Sequence, residues 1–116
     1  HLARLPLADL ALDTFPCNGH TTTSDALWAG VPVLTWQGEA FAARVASSLL
    51  AAAGLDDLIA VSLADYRSRL LRWCADAAWR ADLAARAGAL RETSPLLDAT
   101  AFARKLEAAY ADLLQP

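Results

Sequence analysis

The stretch Leu12 to Trp36, LDTFPCNGHTTTSDALWAGVPVLTW, decides the fold. One apolar run ends near Asp13 and a second covers Val31-Pro32-Val33-Leu34-Thr35, with a polar loop and a short helical segment between them. These 25 residues therefore read as strand, loop, helix, turn and strand, the layout of a βαβ unit with an anion-binding loop. Pro16, Asn18 and Gly19 supply turn chemistry, and His20-Thr21-Thr22-Thr23-Ser24 open the helix. Gly30 suits the left-handed position that closes it. Five side chains able to hydrogen-bond thus crowd one helix start. The first turn of a helix has unpaired N–H groups and a partial positive charge, so polar donors gathered there make a site for phosphate. The expected ligand is a nucleotide or another phosphorylated compound.

Upstream, Leu7 to Asp13 fits helix or strand by pattern, and the turn that follows favours a short buried strand over Leu10 to Asp13. Thr22 to Ala29 is the helix, and Val31 to Thr35 is the second strand, with Pro32 near its start where a missing N–H does least harm. Gly38 begins a helix to Ala53, with Phe41, Val45, Leu49 and Ala52 on one face and Gly54 as terminator. Leu58 to Val61 is a candidate third strand. Ser62 and Asp65 form a capping box for a helix bearing Tyr66, Leu70, Trp73 or Cys74, and Ala77. A break near Asp76 is followed by the stripe Trp79, Leu83, Ala87 and Leu90, which Thr93-Ser94-Pro95 ends. A last helix covers Thr100 to Leu114 with Phe102, Leu106, Ala109 and Leu113 on one edge.

The class is α/β, a partial parallel sheet flanked by helices, divided into residues 1–61 as the nucleotide-binding α/β part and 62–116 as a helical part. Two or three strands do not complete a doubly wound domain. The remaining strands are expected from sequence before His1, or a neighbour must cover the sheet edge. With no methionine and an apolar segment close behind His1-Leu2-Ala3-Arg4, the chain reads as the carboxy-terminal piece of a longer protein.

Composition narrows the classes. A chain of 116 residues that is 56% hydrophobic and 20% charged forms one small domain with a core rather than a disordered tail. No apolar run approaches a membrane span and no signal-peptide pattern is present, so a cytoplasmic setting without membrane association is expected. Ten basic residues against thirteen acidic ones, with arginines scattered among acidic neighbours, argue against a nucleic-acid partner. Cys17 and Cys74 lack metal-ligand spacing and read as reduced thiols.

Each candidate has a plain reading beside the sharper one. A lone histidine at a helix start is an ordinary N-cap neighbour, but His20 sits inside the motif. One hydroxyl suffices for a cap, and Thr21 to Ser24 present four. Asp25 suits a helix dipole as well as a ligand, and His1 is a chain terminus. Cys17 reads as a small buried residue rather than a nucleophile. Trp28, Trp73 and Trp79 read as core. Trp36 and Gln37 follow a parallel strand, where ligands meet such sheets, and are candidates for a sugar pocket. Glu39 and Arg44 fit a surface helix pair.

The run Leu7-Ala8-Asp9, Leu12-Asp13-Thr14, Cys17-Asn18-Gly19-His20-Thr21-Thr22, Asp25, Leu27-Trp28-Ala29-Gly30 and Val31 to Thr35 closely resembles the carboxy-terminal catalytic lobe of O-GlcNAc transferases. The likeness continues through Gly38-Glu39, Ala43 to Ser48, Gly54-Leu55, Leu58 to Ala60, Tyr66 and Ser94-Pro95-Leu96. It implies a Rossmann-like lobe of a two-lobed GT-B glycosyltransferase followed by C-terminal helices, often preceded by tetratricopeptide repeats. It further implies transfer of GlcNAc from UDP-GlcNAc to Ser or Thr of a protein acceptor, with inversion and with no metal or other cofactor. Position by position, His20, Thr21 and Thr22 would face the diphosphate, Asp25 the ribose hydroxyls and His1 the uridine. The family's phosphate-binding lysine lies upstream of the matched region, and Lys105 in the last helix is the only lysine here. The other lobe and the general base are also missing, so no catalytic base is assigned and the chain alone is expected to be inactive. The alternatives are a SPINDLY-like transferase using GDP-fucose or another donor, a group whose members tend to carry threonine and glutamate at positions 20 and 25, or a non-catalytic nucleotide-binding or interaction module.

Overall fold

The computed structural model describes residues 1–114, and 115–116 of the expected helical part lie outside the described residues. A 3-10 turn at Leu2–Leu7 leads into β1 (Ala11–Leu12), which pairs in parallel with β2 (Val33–Trp36). β2 in turn pairs in parallel with β3 (Ile59–Ala60), giving the order β1-β2-β3. The ladder runs slightly past these bounds, since the Asp13 N–H donates to the Leu34 carbonyl at 3.0 Å and the Gln37 N–H to the Ala60 carbonyl at 2.8 Å. β2 starts two residues later than the apolar run because the Val31 N–H still closes the end of the preceding helix, bonded to the Ala26 carbonyl at 2.9 Å. Pro32 has no N–H to offer, and its carbonyl accepts from the Ala11 N–H at 2.9 Å.

The helix α1 (Thr21–Trp28) connects β1 to β2, and α2 (Val45–Ala52) lies between β2 and β3. Gly30 after α1 takes φ of 77°, the left-handed conformation that suits glycine. A Cβ there would also meet the Gly88 Cα at 3.2 Å, because α4 (Ala77–Thr93) crosses close by. α3 (Leu63–Ala75) packs on β2 and β3, and α4 packs on α1 and α3. Leu27, Leu34, Leu50, Leu58, Trp73, Leu83 and Leu90 form one core to which the sheet and α1 to α4 contribute. Arg86 of α4 ties that helix to the segment before β3, donating to Asp57 Oδ2 at 2.8 Å and to the Gly54 carbonyl.

Three expectations need correction. The single helix from Gly38 to Ala53 is a 3-10 turn at Phe41–Ala43 followed by α2. The carbonyls of that turn bond elsewhere: Ala43 accepts from the Gly38 N–H and Ala42 from the Asn18 N–H, both at 2.8 Å. The later start rotates the buried face to Ala43, Ala46, Ser47 and Leu50, leaving Phe41 82% exposed. Trp28 is 41% exposed rather than core, with the Arg91 guanidinium 4.4 Å above its ring. Cys17 is exposed. Trp73 is buried, as its periodicity predicts, and meets Trp79 edge to face at 6.3 Å between centroids. The last helix, α5 (Ala99–Leu113), packs on the 3-10 turn Pro95–Leu97 and buries none of its own residues.

The Ser62 to Asp65 cap forms as its spacing predicts. The Ser62 hydroxyl accepts from the Asp65 N–H at 3.1 Å, and the Asp65 carboxylate accepts from Arg69 Nε–H at 2.9 Å and from the Val61 N–H at 3.0 Å. The hydrogen bond from Arg69, aided by the Val61 N–H, holds the Asp65 carboxyl below its ordinary value against the opposing effect of burial. A carboxyl lowered on folding adds stability above its unfolded pKa and loses it as pH falls through the folded value. Asp65→Asn should therefore be less stable than the parent near neutral pH, with the gap in urea midpoint closing on acidification; a gap that stays constant would contradict this account.

Candidate anion-binding site

Asp13, at the carboxyl end of β1, organises the loop ahead of α1. Its Oδ1 accepts from the Gly19 N–H at 2.6 Å and its Oδ2 from the Thr35 hydroxyl at 2.6 Å, while its backbone carbonyl accepts from the Tyr66 hydroxyl at 3.4 Å. Burial, and then the negative Asp13, push the Tyr66 phenol above its ordinary value. Within the loop the Thr14 hydroxyl donates to the Cys17 carbonyl at 2.6 Å, and Asn18 Nδ2 donates to the Thr14 carbonyl at 3.0 Å. Phe15 stacks on Trp36 with centroids 3.8 Å apart, so the loop is fixed to the ends of both strands.

The head of α1 is open. His20 is its N-cap and no side chain accepts from its first N–H groups, whereas Ser62, Asp76 and Asp98 cap α3, α4 and α5. The first bond of helical type runs from the Ser24 N–H to the His20 carbonyl at 3.1 Å, so the N–H groups of Thr21, Thr22 and Thr23 have no partner among the described residues. The four hydroxyls divide in two. Thr23 donates to the Gly19 carbonyl at 2.8 Å and Ser24 to the His20 carbonyl at 3.3 Å, while Thr21 and Thr22 are exposed and make no side-chain bond among the described residues. Gly19 is needed for this packing, since a Cβ there would lie 2.5 Å from Thr22 Oγ1 and 2.8 Å from Thr23 Oγ1.

Of the five expected ligand residues, His20, Thr21 and Thr22 thus lie at the helix head. Asp25 lies one turn along α1 with His1 beside it, His1 Nε2 being 3.5 Å from Asp25 Oδ2 and the two side chains 55% and 30% exposed. The His20 ring meets Phe41 edge-on at 6.4 Å between centroids. Phe41 borders an open groove of about 750 Å³ that Gln37, Glu39, Arg44 and Ser48 also line. Gln37 therefore faces this groove, whereas Trp36 is covered by Phe15. Glu39 and Arg44 form no ion pair among the described residues, because the helix that would space them does not exist there.

Asp13 and Thr35 do not stand out in the sequence. The signal present is a carboxylate at the last position of a strand, directly before a glycine-containing loop, but its hydroxyl partner lies 22 residues further on.

The family model for glycosyl transferase family 41 matches residues 1–106. A UDP-N-acetylglucosamine--peptide N-acetylglucosaminyltransferase of Caenorhabditis elegans is 40% identical over 92% of this chain and 9% of its own length. A probable enzyme of the same description from Arabidopsis thaliana, SEC, is 41% identical over 95% of this chain and 11% of its own length. The probable SPINDLY enzyme of Oryza sativa is 39% identical over 97% of this chain and 12% of its own length. Among solved structures, a mutant Thermobaculum terrenum O-GlcNAc transferase superposes with a TM-score of 0.83 at 36% identity, covering 94% of this chain and 21% of that one. The chain therefore spans about a tenth of the curated relatives it matches. With an α/β fold, a parallel sheet and a family match over nearly its whole length, this chain belongs to glycosyl transferase family 41.

Proposed function

We propose that residues 1–61 hold the nucleotide sugar of a protein O-linked glycosyltransferase and that 62–116 buttress them. The donor in this reading is UDP-GlcNAc, and GlcNAc passes to Ser or Thr of a protein with inversion and without a metal. The observation that carries it is the open head of α1, with the exposed Thr21 and Thr22 beside its unpaired N–H groups and the His1–Asp25 pair one turn away. Four residues of α-helix rise about 6 Å. A diphosphate on the helix head therefore leaves its ribose beside the first turn, where the Asp25 carboxylate suits a vicinal diol and His1 the base.

Chemistry follows from where charge develops. As the glycosidic bond breaks, negative charge grows on the departing diphosphate, and fixed donors stabilise that state more than the ground state. A helix head is worth about 0.3 to 2 kcal/mol and each charge-assisted hydrogen bond about 1.5 to 3 kcal/mol. His20, Thr21 and Thr22 therefore act jointly rather than singly. A second lobe, a phosphate-binding lysine, the acceptor groove, the general base and tetratricopeptide repeats belong in this reading to the rest of a longer, cytoplasmic protein, and the 116 residues alone are inactive. Relatives described as UDP-N-acetylglucosamine--peptide transferases support the donor, as do His20 and Asp25 in place of the threonine and glutamate of SPINDLY-like chains.

Calorimetry on the complete polypeptide should show tighter binding of UDP than of GDP, and the reverse order would overturn the donor assignment. His20→Ala and Asp25→Ala should each weaken UDP binding about tenfold, the loss of roughly one such contact. Unchanged affinity in both would leave the loop as a helix cap and nothing more. Gly19→Ala should keep the helical circular dichroism yet weaken UDP binding about tenfold, because the new methyl displaces Thr22 and Thr23 at the helix head.

A further inference from the structure

We propose that Asp13 is the positioning residue of the diphosphate cradle, setting the direction of its donors without touching the ligand. The inference rests on the reading of α1 as the diphosphate site. Gly19 is the residue before the N-cap of α1, and its N–H points inward to Asp13 Oδ1 at 2.6 Å. With that N–H fixed, the Gly19 carbonyl faces the Thr23 hydroxyl at 2.8 Å, and His20 takes φ of −103° and ψ of −85°, outside both helix and strand conformations. Beyond that residue the N–H groups of Thr21 to Thr23 have no partner among the described residues. The other oxygen of Asp13 is held by the fully buried Thr35, so the carboxylate is fixed from β2 and transmits that position to the loop.

A loop so placed by one side chain loses its geometry when that side chain goes. Both bonds are charge-assisted and short, and deleting the carboxylate leaves the Gly19 N–H and the buried Thr35 hydroxyl without acceptors. The Gly19 amide is then free to turn outward, misdirecting the donors that follow it. Among the described residues neither His1 nor Asp25 forms a hydrogen bond or ion pair with Asp13, Asp25 being on the body of α1 and His1 at the start of the chain. Asp13 therefore serves the phosphate end of the ligand and not the nucleoside end, and a carboxamide can do its work. In Asp13→Asn, Oδ1 still accepts from Gly19 while Nδ2 donates to a Thr35 hydroxyl turned to accept.

The test compares UDP with uridine on the complete polypeptide by calorimetry. Asp13→Ala should weaken UDP binding by about tenfold or more and leave uridine binding as in the parent, and Asp13→Asn should restore UDP binding to within about threefold. Thr35→Val, which keeps the core shape and removes one donor, should lower UDP binding and spare uridine, and it decides the matter should Asp13→Ala fail to fold. Equal loss of UDP and uridine in these variants would show a general structural role, unchanged UDP binding would show none, and an Asp13→Asn as weak as Asp13→Ala would show that charge rather than geometry matters; each overturns the proposal. A parent protein that binds UDP no tighter than uridine would instead sink the diphosphate reading itself.

Discussion

Both oxygens of the Asp13 carboxylate are used inside the protein, and the rest of the site depends on that. A carboxylate drawn partly out of water is costly unless hydrogen bonds replace its hydration. Here an amide of the loop and a buried hydroxyl of β2 do so. The bonds join three pieces: the end of β1, the last residue but one before α1, and, 22 residues from Asp13, the middle of β2. Tyr66 of α3 adds a fourth through the Asp13 carbonyl. The loop is thus held from beneath, and its outward face is the start of a helix.

That helix start differs from the others in what the sequence places on it. Ser62, Asp76 and Asp98 close α3, α4 and α5 with side-chain acceptors, each satisfying an N–H that would otherwise face water. α1 has hydroxyls in abundance and uses none as a cap: those of Thr23 and Ser24 turn back to carbonyls. α2 also lacks a side-chain cap, but it follows directly on the 3-10 turn at Phe41–Ala43. Much of the chain's positive charge is engaged away from the head of α1. Arg69, Arg72 and Arg86 pair with Asp65, Asp76 and Asp57, and Arg91 lies over Trp28. The donors on the head of α1 itself are oriented N–H groups and neutral hydroxyls, and a helix dipole alone is worth at most about 2 kcal/mol.

Elements whose cues are local are legible in the sequence. The Ser62 and Asp65 spacing predicts a cap because capping is settled within four residues, and the break at Asp76 and the stops at Gly30 and Pro95 are equally local. The three strands lie where the apolar runs place them, with ends shifted by a residue or two, since a hydrogen-bonded ladder ends where its partner strand ends and not where apolar residues do. The helix expected from Gly38 does not form because carbonyls of Ala42 and Ala43 bond to Asn18 and Gly38, a tertiary competition that periodicity does not register. Trp28 departs from expectation for a related reason: a tryptophan on a helical stripe reads as core, yet an arginine from α4 covers its face. The position of the loop before α1 is visible from turn residues and hydroxyls. Its internal bracing is not, because Asp13 and Thr35 meet only when β1 and β2 pair.

On the proposed reading, two tasks are separated within one short helix. The diphosphate is the same in every nucleoside diphosphate sugar, so donors at the head of α1 would recognise it without regard to the base. In the reading proposed above, the choice between bases would fall to His1, while Asp25, paired with it one turn along α1, would hold the ribose that all such nucleotides share. On that reading, leaving-group stabilisation, which needs rigid donors, would be insulated from donor specificity, which needs variable ones.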